Sequence, residues 1–108
     1  TMTQITPQFL HQWLADTGRK PPVLLDVREP WEYQTCRIEG STLAPMNTIP
    51  ARAQELDAET ETVVICHHGA RSYRVALFLE SNGFSKLYNL QGGVNAWADQ
   101  VERSMPKY

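Results

Sequence analysis

Thr62-Val63-Val64-Ile65-Cys66-His67-His68-Gly69-Ala70-Arg71-Ser72 holds the change of backbone period that decides the fold. Its first four residues are apolar or β-branched without alternation, the pattern of a strand covered on both faces. From Tyr73 to Phe84 the apolar residues Val75, Ala76, Phe78 and Leu79 gather at helical spacing. Gly83 stands where a helix stop takes a left-handed residue, and Phe84 is placed to fold back on Leu79. A buried strand feeding a helix through a short glycine-containing loop is the repeating unit of an α/β sheet.

Working outward, Val23-Leu24-Leu25-Asp26-Val27 is a second continuous apolar run, with Asp26 its single polar member. Gln4-Ile5, Thr42-Leu43-Ala44 and Lys86-Leu87-Tyr88-Asn89-Leu90 read as three further strands. Thr6-Pro7 has the chemistry of a helix N-cap followed by proline at the first helical position. Leu10, Trp13 and Leu14 are expected on one face of that helix, with Gly18 as its stop. Asn47 is expected to cap a helix through Ala51, Ala53 and Leu56. Arg28 to Gly40 reads as irregular, with one helical turn around Pro30-Trp31-Glu32-Tyr33. Gly92-Gly93 turns into a last helix carrying Val94, Ala96 and Trp97, and Ser104 to Tyr108 reads as a solvent-exposed tail, with Tyr108 the one residue placed to pack back on the body. Strands alternating with helices give an α/β layer sandwich with a mainly parallel sheet. In such sheets ligands bind beyond the carboxyl ends of the strands, where Cys66 falls.

The 108 residues suit one domain, expected to cover 1–108. Hydrophobic residues make up 42%, enough for one core but not two, and the formal charge is -2. No basic field is present to draw nucleic acid or anionic lipid, so neither is expected as a partner. No apolar stretch approaches membrane-spanning length, and the N-terminus lacks the core of a signal peptide. Two cysteines in such a chain are expected to stay reduced, which makes the cytoplasm the expected compartment.

Cys66 is the candidate nucleophile. Only the thiolate of cysteine reacts well, and electropositive loops favour it. Loop amides and the positive end of the following helix are expected to act on one sulfur. Gly69 helps shape the loop, and small Ala70 keeps its mouth open. Arg71 adds a permanent charge, turned either toward an anion or outward as a brace. Ser72 either donates to the sulfur or caps the helix. His67 and His68 supply N–H donors and become cationic only with a small shift.

These residues carry a resemblance that spans nearly the whole chain. Leu25-Asp26-Val27-Arg28-Glu29, then Glu32-Tyr33 and Arg37-Ile38-Glu39-Gly40-Ser41 with Pro45 beyond, resemble the first half of the rhodanese family. Cys66 through Ser72 resembles its active-site loop. Gly83-Phe84, Leu87-Tyr88-Asn89-Leu90, Gly92-Gly93 and Ala96-Trp97 resemble its C-terminal signature. The likeness is to the small single-domain thiosulfate sulfurtransferases. It implies a rhodanese-like three-layer sandwich, with a mainly parallel five-stranded sheet flanked by helices. It also implies transfer of a sulfane sulfur from a donor anion such as thiosulfate to a thiophilic acceptor, cyanide or a thiol, through a Cys66 persulfide. His67, His68, Gly69, Ala70, Arg71 and Ser72 would form the substrate loop, and Asp26 and Arg28 would brace it. No cofactor and no metal are required, and a sulfur-carrier protein is a possible partner.

The chain departs from the family at two places. His67-His68 stand where many thiosulfate-using relatives carry a permanent cation, which weakens the attraction for a dianion. Cys36-Arg37 replace the Gly-His pair usual before the isoleucine. The competing readings are a relay or sensor module that carries sulfur without turnover, and a cysteine phosphatase or arsenate reductase. Cysteine phosphatases place one residue more between nucleophile and arginine than the four found here. Cys66 as a plain buried residue, a metal held by the histidines, and a resolving disulfide from Cys36 are weaker alternatives.

Overall fold

A computed structural model describes residues 1–108. Five strands, β1 (Thr3–Ile5), β2 (Val23–Asp26), β3 (Thr42–Leu43), β4 (Thr62–Ile65) and β5 (Leu87–Leu90), form one sheet in the order β1-β5-β4-β2-β3. Every pairing is parallel, so the expected mainly parallel sheet is parallel throughout. The central strand β4 is buried along its whole length. Full burial of each aliphatic side chain there stabilises by about 1.5–3 kcal/mol.

Side-chain alternation along β4 divides the core. Val63 and Ile65 face helices α1 (Pro7–Ala15) and α5 (Gly93–Gln100), with Leu10, Trp13, Val94 and Trp97. Val64 and Cys66 face α4 (Ala70–Glu80), with Val75, Ala76 and Leu79. The period of two therefore assigns Cys66 to the α4 layer before any tertiary contact is considered. Helix α2 (Pro30–Thr35) follows β2, and α3 (Ile49–Arg52) lies between two 3-10 turns, Met46–Thr48 and Ala53–Glu55. No helix is long and apolar enough to cross a membrane.

Local chemistry accounts for most element ends. The Thr6 side chain accepts from Phe9 N–H, as its position before Pro7 implies. Phe84 N–H bonds Leu79 O at 3.1 Å and Gly83 N–H bonds Glu80 O at 3.2 Å, the paired bonds of a Schellman stop. Four expectations need correction. α4 starts at Ala70, not Tyr73, because Gly69 takes the cap and Tyr73 N–H already bonds Gly69 O. α1 ends at Ala15, where Asp16 bonds Trp13 O, and Gly18 only follows in the turn. Leu14 leaves the apolar face of α1 and is exposed. Asn47 caps nothing, since it lies inside the first 3-10 turn, and no single helix runs from Ala51 to Leu56. The tail differs at Met105, which is buried in the core, while Tyr108 packs back on the body as expected.

Candidate active site

Cys66 directly follows β4 at the carboxyl edge of the sheet, and α4 begins four residues later. Its side chain is buried among Val64, Val75 and Ala76, yet its sulfur has two polar neighbours. Gly69 N–H donates to Cys66 Sγ at 3.0 Å, and Ser72 Oγ lies 3.3 Å from it. The expected convergence of several loop amides reduces to this one backbone donor plus a hydroxyl. The backbone on either side of the loop is held elsewhere. Val94 N–H bonds Cys66 O at 2.9 Å and Asn95 N–H bonds His67 O at 3.0 Å, so the first turn of α5 grips the loop by its carbonyls.

Ser72 is fully buried and also hydrogen-bonds Asn89 Oδ1. Asn89 donates in turn to Gln4 Oε1 at 2.9 Å and Gly69 O at 3.3 Å, which fixes the orientation of its amide. The serine hydroxyl therefore stands between an acceptor that is always present and the sulfur. Its single proton can be donated to either neighbour. Asn89 was not among the candidate residues. The signal that singled out Asp26, one polar side chain in an apolar strand, applies equally to it.

Arg71 is turned outward as a brace. Its guanidinium bonds both carboxylate oxygens of Glu32, each at 2.8 Å. Glu32 is buried and also accepts from Glu29 N–H and Tyr108 Oη–H. The Arg71 hydrogen bonds overcome the opposing effect of burial, and with those further donors hold the Glu32 carboxyl down at about 2. Glu32 entered the sequence reading only as part of a motif, because its partner lies 39 positions away.

Behind this pair lies a second one. Arg28 is fully buried, its guanidinium bound to Asp26 through Nε–Oδ1 at 2.8 Å and Nη2–Oδ2 at 2.7 Å. It also donates to Cys36 O, Glu32 O and Tyr108 Oη. Burial works against its charge, but the bonds to Asp26 and Tyr108 prevail and keep it protonated. Asp26 and Arg28 thus form a buried pair with its donors satisfied, tied to Glu32, Cys36 and Tyr108.

At the mouth, His67 and His68 rings lie 3.9 Å apart, and His67 stacks on Tyr108 at 4.0 Å with the planes 15° apart. His68 and Ala70 are exposed. Burial, then repulsion from His68, pushes the His67 imidazole below its ordinary value, so it is neutral at pH 7. With Arg71 already paired, the loop presents no free permanent cation. The two histidine rings are tilted 39° to each other, and no three His, Cys, Asp or Glu side chains come together as metal ligands. Both cysteines are free and lie in opposite layers, Cys36 with α1 and α5 and Cys66 with α4, so they are not paired.

The Glu32 carboxyl carries a pH prediction. Its folded value of about 2 lies below the ordinary 4.5, so its stabilising effect is complete above 4.5 and fades as pH falls through 2. Glu32→Gln is expected to lose on the order of 3 kcal/mol at pH 7, and less as pH drops toward 2. Urea unfolding of both proteins at pH 7, 4 and 2.5 measures this. A gap that stays constant across that range contradicts a paired carboxylate.

Residues 6–100 match the family described as the rhodanese-like domain. A sulfurtransferase of Allochromatium vinosum is 36% identical over 97 residues, spanning 90% of this chain and 89% of the relative. The thiosulfate sulfurtransferase GlpE of Tolumonas auensis is 31% identical over 96 residues, spanning 89% of this chain and 91% of the relative. The crystal structure of a rhodanese-like domain protein from Staphylococcus aureus superposes with a TM-score of 0.83 at 33% identity, covering 93% of this chain and 95% of that one. Other relatives are longer, and the chain spans between 26% and 43% of their length.

Proposed function

The chain belongs to the rhodanese-like domain family, and from that premise we propose that it is a sulfurtransferase working through a persulfide on Cys66. The observation that carries the proposal is the Gly69 N–H at 3.0 Å from Cys66 Sγ, in a loop that opens directly into α4. An N–H donor on sulfur favours the anionic form, and the first-turn amides of a helix add positive potential beside it.

In the first half-reaction the Cys66 thiolate attacks the outer sulfur of thiosulfate. The S–S bond of the donor breaks, its electron pair leaves on sulfite, and the outer sulfur stays on Cys66 as a persulfide anion. In the second, cyanide or a thiolate attacks that outer sulfur. The bond to Cys66 breaks, the thiolate is restored, and thiocyanate or a new persulfide departs. Each step is a two-electron displacement at sulfur, and the cycle is covalent catalysis in ping-pong order. Ser72 supports it by turning its proton to whichever sulfur carries the charge within its reach. Asp26, Arg28 and Glu32 act at a distance, by holding the loop and Arg71. A sulfur-carrier protein fits the acceptor role as a small thiol does.

Phosphoryl chemistry is the weaker reading, because the charge of Arg71 is already answered by a bidentate pair with Glu32, whereas a phosphate clamp needs that charge directed at the anion. Incubation with thiosulfate is expected to raise the intact mass by one sulfur atom, and cyanide is expected to remove it as thiocyanate. A chain that gains sulfur but forms no thiocyanate is a carrier, not an enzyme. One that gains none, and hydrolyses a nitrophenyl phosphate instead, overturns the proposal.

A further inference from the structure

Tyr108 lies 42 positions beyond Cys66 in the chain, yet its side chain meets one end of the residue-66 loop directly and the other through Glu32. At one end its ring stacks on His67, the residue after the nucleophile. At the other its hydroxyl donates to Glu32 Oε1 at 2.8 Å, on the carboxylate that grips Arg71. The same oxygen accepts from Arg28 Nη1 at 2.9 Å. Arginine only donates and a carboxylate only accepts, so the direction of both bonds is settled and the single phenolic proton lies on the Glu32 side. Burial, together with the bond to Glu32, pushes the phenol up to about 12, so that proton is present at every working pH. Trp31 meets the Tyr108 ring in a T-shaped contact, with centroids 5.3 Å apart. Buried Met105 anchors the segment that delivers it.

We propose that Tyr108 is a positioning residue for the sulfur transfer: it roofs His67 and fixes Glu32 on Arg71, and so holds the loop in the shape that keeps Gly69 N–H on Cys66 Sγ. The inference rests on the transfer reading above. Its effect falls on rate more than on folding, because every partner of the hydroxyl keeps other bonds without it. Glu32 retains Arg71 and Glu29 N–H, and Arg28 retains Asp26 and Cys36 O. Looser placement of reacting atoms by about 1 Å is enough for a hundredfold loss of rate.

The test compares the parent chain with Tyr108→Phe, which keeps the ring, and Tyr108→Leu, which loses ring and hydroxyl. Single-turnover loading of Cys66 is followed by intact mass at saturating thiosulfate, with urea midpoints alongside and the His67 ring protons read by NMR. Tyr108→Phe is expected to load about threefold to tenfold more slowly, with the upfield shift of the His67 protons preserved. Tyr108→Leu is expected to load roughly ten- to a hundredfold more slowly, with that shift lost. Partial rescue by phenylalanine separates the stack from the hydroxyl. Folded variants that load at the parent rate overturn the assignment of Tyr108 alone, as does slowing that only follows a lower urea midpoint. A parent chain that gains no sulfur overturns the transfer reading and this inference with it.

Discussion

Cys66→Ser will take up no sulfur from thiosulfate, while Cys36→Ser will gain one sulfur atom as the parent does. The two thiols differ in what surrounds them. Cys66 Sγ meets Gly69 N–H at 3.0 Å and Ser72 Oγ at 3.3 Å, at the carboxyl edge of β4. Cys36 Sγ lies in the opposite layer and meets only the Arg28 guanidinium at 3.8 Å, a group already saturated by Asp26, Glu32 O, Cys36 O and Tyr108. A serine hydroxyl at position 66 keeps the shape of the site but is not ionised near neutral pH, and it forms no persulfide. Loss of a nucleophile of this kind lowers the rate by on the order of a thousandfold or more. Intact mass after thiosulfate, and thiocyanate after cyanide, read the result in both variants. Retention of the adduct in Cys66→Ser, or its loss in Cys36→Ser, moves the chemistry away from the β4 loop.

Gly93→Ala is expected to be the most damaging substitution outside Cys66. A Cβ built at Gly93 falls 2.3 Å from Cys66 O and 2.4 Å from His67 O. Both are backbone atoms on the Cys66 loop, so no flexible side chain can yield. The backbone there has φ +59, a left-handed value that costs alanine roughly 1–2 kcal/mol before any clash. To relieve the overlap, α5 must release the loop, with loss of the Val94 N–H bond to Cys66 O and the Asn95 N–H bond to His67 O. The expected cost is about 3–5 kcal/mol of stability, with sulfur loading impaired in whatever protein still folds. Gly40→Ala is the control. Gly40 also has a positive φ, of +86, but nothing lies within 4 Å of its added Cβ. It should lose only the backbone part, roughly 1–2 kcal/mol, and load sulfur normally. Urea midpoints and loading rates measured together decide the matter. Equal losses in the two variants would show that the close approach of α5 to the loop carries no weight.

Much of this was legible in local sequence. The apolar run from Thr62 to Ile65, the Thr6-Pro7 start of α1 and the Gly83-Phe84 stop of α4 each depend on a few neighbouring residues, and each stands as its chemistry implies. Elsewhere two local signals competed. Asn47 has the side chain of a cap, but the chain after Pro45 turns into 3-10 geometry, and Gly18 has the freedom of a stop that Asp16 made unnecessary. Arg71 illustrates a limit of another kind. Sequence left it facing either the anion or a brace, and only the arrival of Glu32 from α2 decides for the brace. Asn89 and Tyr108 reach the loop from β5 and from the C-terminal tail, and Gly93 presses on it from α5.

The amino-acid order alone therefore determined the alternation of strand and helix, the placing of a cysteine at a strand's carboxyl end, and the family likeness that follows from its motifs. These rest on hydrogen bonds and packing preferences that act within one turn or one strand. Tertiary structure alone decided which charge Arg71 answers, and what ties the Cys66 loop to α2, α5, β5 and the C-terminal tail. Those contacts join residues at least 17 positions apart, and their distances follow from how the layers pack, a quantity no local window contains.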